Sequence, residues 1–176
     1  KERGNAWVFT RDDPSNRTSG WTVRNMLRAS TTETKYGSQV AIFGDTAVVG
    51  GYDLNKAFVF SRTEDHRDAP WVQRAILEND ASGFGTSVAT NGEAVFVSTR
   101  ELLSDNDGSV LVYTRVLPGD VTSDWHLTSR FHAGFDEGFG ENIAVNNKRA
   151  GEVMVGANTA ATPGGADKTG AAYVFK

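Results

Sequence analysis

The sequence predicts an all-β protein built of four-stranded antiparallel units set side by side, and three observations support this. Short apolar runs alternate with turn-forming residues along the whole chain, as half-buried and buried strands do. The 19 glycines far outnumber the 4 prolines and are spread between those runs, so they punctuate strands rather than form a flexible linker. No sustained apolar stripe of helical period occurs, so almost no helix is expected. Four strand-like segments then recur in a fixed order about every 50 residues, with Trp21, Trp71 and Trp125 spaced by 50 and 54. Such a period is the pattern of a β-propeller blade rather than of a helical solenoid.

The elements follow in register. Each repeat opens on an aromatic-Gly pair leading into a small strand: Tyr36-Gly37 to Ala41, Phe84-Gly85 to Ala89, and Phe139-Gly140 to Ala144. A nearly continuous apolar run comes second, at Ala47 to Gly50, Ala94 to Ser98 and Glu152 to Gly156. Continuous apolar strands are expected where both faces are buried. The third segment reads Ala57-Phe58-Val59-Phe60, Val110-Leu111-Val112-Tyr113 and Ala172-Tyr173-Val174-Phe175, with a leading copy at Ala6-Trp7-Val8-Phe9. The fourth is a Trp strand, from Trp21 to Leu27, Trp71 to Leu77 and Trp125 to Phe131. Even spacing places Trp21 with Val23 and Leu27, Trp71 with Leu77, and Trp125 with Leu127 and Phe131 on one face each. About 13 strands are expected, as a partial blade in 1–30, blades in 31–80 and 81–134, and a further partial blade in 135–176. A closed ring normally takes about 4–8 blades, so an incomplete ring is expected. The remainder of a longer chain, or neighbouring copies, would complete the blades.

Composition narrows the function. Eighteen basic against 22 acidic residues give a net charge of −4, the opposite of the basic excess that phosphate binding requires, so no nucleic-acid partner is expected. No apolar run reaches the length of a membrane-spanning helix. Lys1-Glu2-Arg3-Gly4 does not read as the start of a signal peptide, although one could have been removed. Cysteine is absent, which removes disulfides, thiolate metal sites and a Cys nucleophile together.

The order Phe-Gly, small strand, Val-Val-Gly, loop, Gly-Ala-x-x-Val-Phe resembles the FG-GAP repeat, the propeller repeat of integrin α-subunits and of many secreted or surface proteins. The likeness runs over essentially the whole chain. It is clearest from Phe139-Gly140 through Val155-Gly156-Ala157 to Gly170-Ala171-Ala172-Tyr173-Val174-Phe175. Departures are the missing Pro of Gly-Ala-Pro, with Gly50-Gly51-Tyr52, Ser98-Thr99-Arg100 and Gly156-Ala157-Asn158 in its place. The resemblance implies a binding or adhesion module, extracellular or at the cell surface, with a protein or glycan ligand and no catalysis. The alternatives are a structural subunit of a fibre or surface appendage joined through open blade edges, and a non-catalytic propeller attached to an enzyme. Calcium-binding members carry an Asp/Asn-rich loop between the first two strands. The turns here, Phe43-Gly44-Asp45-Thr46, Thr90-Asn91-Gly92-Glu93 and Asn146 to Glu152, lack the several oxygen ligands calcium needs. No cofactor is therefore expected.

Candidate site residues are few. Asp105 and Asp107, before Gly108, have the spacing of the first half of a calcium loop, but strand residues Val110 to Tyr113 stand where the closing Glu belongs. A solvated turn accounts for the same residues. Asn16-Arg17-Thr18 fits the N-glycosylation triplet. His66, His126 and His132 are too dispersed to converge on zinc. Glu137 with Glu141, and Asp12 with Asp13, are carboxylate pairs in loops. No nucleophile elbow, phosphate loop or zinc-protease motif is present. The in-phase tryptophans are expected to pack blade against blade. Specificity is expected in the variable loops, Tyr52 to Lys56, Thr99 to Ser109 and Asn158 to Gly170 on one side, Arg62 to Pro70 and Val116 to Asp124 on the other.

Overall fold

The computed structural model describes residues 4–30, 35–63, 66, 68–100, 108–133, 138–147, 151–161 and 168–176. These form 13 strands in four antiparallel sheets, with no α-helix among the described residues. The first sheet pairs β1 (Ala6–Arg11) with β2 (Trp21–Leu27). The second runs β3 (Gln39–Phe43), β4 (Thr46–Gly51), β5 (Lys56–Ser61), β6 (Val72–Glu78). Its equivalent in the third is β7 (Val88–Thr90), β8 (Ala94–Thr99), β9 (Ser109–Arg115), β10 (Trp125–Phe131). The fourth is β11 (Phe139–Val145), β12 (Val153–Ala157), β13 (Ala171–Phe175). Sheets of two, four, four and three strands, each a simple meander, are the blades of an incomplete propeller. The sequence repeat and the sheet order thus coincide.

Alternation of side chains decides how the sheets stack. In the second sheet, Ala47, Val49, Phe58 and Phe60 point back onto Ala6, Leu27 and Val8 of the first. Their neighbours Val48, Ala57 and Val59 point forward onto Val95, Val97, Leu111 and Tyr113 of the third. The third sheet sends Ala89, Phe96, Val110 and Val112 onto Val153, Val155, Tyr173 and Phe175 of the fourth. Strands β4 and β8 are consequently buried at every residue, as their unbroken apolar composition requires.

The aromatic-Gly pair is the hook between blades. Its ring is buried and meets an aromatic ring of the third strand in its own blade, edge to face. Tyr36 lies 5.1 Å from Phe58, Phe84 6.2 Å from Tyr113, and Phe139 5.6 Å from Tyr173. The glycine turns at φ near +90° and touches the preceding blade. A Cβ on Gly37 would stand 2.8 Å from the Asn5 carbonyl oxygen, and one on Gly85 2.6 Å from that of Lys56. Both the dihedral and the space exclude other residues.

One sequence expectation is corrected. The tryptophan and the later leucine or phenylalanine of each Trp strand do not share a face. Pairing slips between Val8 and Phe9, between Val59 and Phe60, and between Leu127 and Ser129. Arg24, Arg74 and Thr128 are the extra residues of three equivalent β-bulges, and a single extra residue inverts the alternation beyond it. Leu27, Leu77 and Phe131 therefore face forward, whereas Trp71 and Trp125, themselves partly buried, pack backward against the buried core. Trp21 remains 60% exposed, since no sheet covers the rear of the first among the described residues.

Candidate binding face on the Trp-strand loops

In the first three blades the strand that precedes the Trp strand ends in Thr or Ser followed by Arg: Thr10-Arg11, Ser61-Arg62, Thr114-Arg115. Each guanidinium lies over the tryptophan that opens the next strand, at 4.6 Å for Arg11 on Trp21, 5.4 Å for Arg62 on Trp71 and 4.6 Å for Arg115 on Trp125. A planar cation over an indole face gains both electrostatic and stacking contact. The same guanidinium then collects carbonyls of the intervening loop. Arg11 donates to the Asn16, Arg17 and Ser19 carbonyls, and Arg62 donates to the His66 carbonyl at 3.1 Å and to Asp45 Oδ1 at 2.7 Å. These residues were not singled out in the sequence. Their signal was legible as Ser/Thr-Arg at the third-strand end, nine or ten residues before each Trp.

Arg115 is the most buried of the three. It donates to the Asp120 carbonyl at 2.9 Å, to Thr46 Oγ1 at 2.8 Å and to the Gly92 carbonyl at 3.4 Å, with Glu93 Oε1 at 3.9 Å. Burial lowers its pKa, while Glu93 and Asp120 oppose that shift. Each of its three nitrogens thus donates within the protein, so the guanidinium serves as a structural bolt. The Thr122 hydroxyl and amide, at 2.7 and 2.8 Å, hold the Asp120 carboxyl below the usual carboxylate range. Ser61 Oγ donates to the Val121 carbonyl at 2.6 Å, which ties this loop to the neighbouring blade.

Between the second and third blades these contacts frame an open hollow of about 300 Å³, lined by Phe43, Asp45, Asn91, Glu93, Arg115 and Val121. Val116 and Leu117 stand exposed at the start of the adjoining loop. The surface combines acid groups with solvent-exposed apolar side chains on loops fixed from below. That combination suits contact with another macromolecule, since rigid loops lose little entropy on binding.

The other candidates fall elsewhere. Asp105 and Asp107 lie outside the described residues, as does Glu137. Asn16 is exposed in the first of the clamped loops, and its Oδ1 accepts from the Thr18 amide at 3.0 Å and the Thr18 hydroxyl at 2.8 Å. Asp12 and Asp13 accept from Thr22 and Ser15, which makes them turn formers. Glu141 pairs with Arg100 at 3.2 Å. His126 and His132 are exposed on or beside β10, and His66 lies in the 62–70 loop. Among the described residues no three His, Asp or Glu side chains gather as a metal-binding group. No described helix is long and apolar enough to cross a membrane. No protein-family model matches this chain, and no curated protein matches it.

Proposed function

We propose that this chain is a propeller segment of the FG-GAP type, acting as a non-catalytic binding or adhesion module outside the cell. Loops 12–20, 62–70 and 116–124 present the contact surface for a protein or glycan. The observation that carries this reading is the recurrence of the Arg–Trp clamp in three successive blades. A repeated device that stiffens loops of different length and composition suits a scaffold whose variable tips do the recognising. The extracellular placement rests on the likeness of the repeat to secreted and surface proteins, and Asn16 is the proposed glycosylation position. The test is retention of the immobilised chain on intact cells and on a panel of glycans, beside the double variant Val116→Asp, Leu117→Asp. Retention that the variant loses, with an unchanged melting temperature, is the expected result. No retention on either probe, or full retention by the variant, overturns the reading.

A structural role is the second reading, favoured by the apolar faces open at both ends of the stack. Trp7 and Phe9 of the first sheet and Met154 and Val174 of the fourth are each about half exposed or more. Their equivalents in the middle blades are buried. End-to-end joining predicts mass that rises with concentration in sedimentation and falls on Trp7→Glu. Mass independent of concentration would remove this alternative.

A further inference from the structure

We infer that the hollow between the second and third blades is a binding site for one neutral sugar ring of a glycan. This deepens the binding-module reading and rests on it, choosing the glycan over the protein ligand. The hollow measures about 300 Å³, and Phe43, Asp45, Asn91 and Glu93 stand in its wall. Sites for small molecules begin at about that volume, so a single ring is the load that fits.

Charge decides the class of ligand. Two acids in one hollow would call for a cation if they stood alone, but each faces a guanidinium. Asp45 Oδ1 accepts from Arg62 Nε at 2.7 Å, and Glu93 Oε1 lies 3.9 Å from Arg115 Nε. These four groups balance, which suits a hydroxyl-rich neutral ligand rather than an ion. The polar groups are also held in fixed orientations. Asn91 Oδ1 accepts from the Glu93 amide at 3.1 Å and the Ala94 amide at 2.7 Å, which orients the carboxamide, and Glu93 Oε2 accepts from the Gly119 amide at 3.0 Å. Asn91 Nδ2 and Asp45 Oδ2 carry no hydrogen bond among the described residues. One donor and one acceptor on rigid turns match neighbouring ring hydroxyls, since each hydroxyl both donates and accepts. Phe43 adds the apolar wall. Its ring is 41% exposed and lies against Gly92 of the next blade, where a Cβ would stand 3.3 Å from Phe43 Cδ1. The negative face of an aromatic ring attracts the C–H groups on one side of a sugar.

The experiment titrates the intact chain with methyl glycosides of neutral hexoses and N-acetylhexosamines, beside glucosamine and glucuronic acid, and follows its backbone amides by NMR. At least one neutral sugar should shift the Gly44, Asp45, Gly92 and Glu93 amides saturably, with an affinity little changed by added salt. Asn91→Asp keeps the oxygen that the Glu93 and Ala94 amides require but replaces the donor with an acceptor. It should weaken binding about tenfold or more. Phe43→Leu keeps an apolar side chain but removes the ring face, and should weaken binding similarly; it gives the second reading should Asn91→Asp unfold the turn. No saturable shift with any neutral sugar, an affinity unchanged in both variants, or tighter binding of either charged sugar overturns the inference. Retention on cells that Val116→Asp, Leu117→Asp abolishes, with no free sugar bound, sinks this inference alone and leaves the module with a protein ligand. A saturable sugar shift without retention on cells or glycans sinks the module reading and leaves the sugar site standing.

Discussion

Tyr36 is buried at 3% exposure, and its hydroxyl has no hydrogen-bond partner among the described residues. Burial raises its pKa above the ordinary 10.0, and that of Tyr113 moves the same way. Because the folded state keeps these protons longer than the unfolded chain, stability is intact below about pH 10 and declines as pH rises beyond it. Tyr36→Phe removes an unsatisfied hydroxyl while keeping the edge-to-face contact with Phe58. It should raise stability by about 1 kcal/mol in urea unfolding at neutral pH and reduce the alkaline loss. Destabilisation at neutral pH would show that the hydroxyl is satisfied after all. Two glycines provide a second test at this scale. Gly85→Ala should cost about 3 kcal/mol or more, because the new Cβ meets the Lys56 carbonyl 2.6 Å away in a left-handed turn. Gly44→Ala, also left-handed but with nothing within 4 Å, should cost only about 1 kcal/mol. Equal costs would mean that the close approach between blades is not real. The aromatic-Gly pair was visible in the sequence as a recurrent mark. Its purpose was not, because the atom that forbids a side chain belongs to the previous blade.

At the level of the element, the loop between the third and fourth strands depends on the guanidinium beneath it. Arg115→Met should lose about 3 kcal/mol by removing the donor to the Thr46 hydroxyl oxygen, the second donors to the Asp120 and Gly92 carbonyls and the stacking on Trp125. Arg115→Lys should recover little, since an ammonium reproduces neither the fork nor the stacking on Trp125. Chemical unfolding of both variants checks this, and full rescue by lysine would reduce the clamp to a simple charge. The strands carrying these loops were legible from period-two alternation and the recurrent tryptophans. The bulges at Arg24, Arg74 and Thr128 were not. A bulge is defined by which backbone partner each residue meets, and parity counting along one strand assumes that no residue is skipped. Hence the assignment of each Trp to one face with Leu27, Leu77 or Phe131 failed in all three Trp strands for a single reason, whereas Trp125 and Leu127, both before the bulge, keep a common face.

Across the whole molecule, burial falls from the middle outward. Apart from β3, where Val40 and Ile42 are exposed, the second and third sheets are covered on both faces, whereas the first and fourth each leave an apolar face open. Amide exchange should therefore be slowest in β4, β5, β8 and β9, and fastest among strands in β1, β2 and β13. Uniform protection across the four sheets would imply that the terminal faces are covered in solution.

The sequence alone determined the strand content, the order of the strands along the chain and the continuous apolar runs that make both faces of the middle strands apolar. These depend on residues near one another in the chain, and the repeat states them three times. Only the tertiary structure decided that the glycine hook meets the previous blade's carbonyl, that arginine and tryptophan nine or ten residues apart close over each loop, and that Val40 and Ile42 border a groove. Each of those is a contact between chain segments whose distance in space is set by sheet pairing and sheet stacking, and no local pattern encodes that distance.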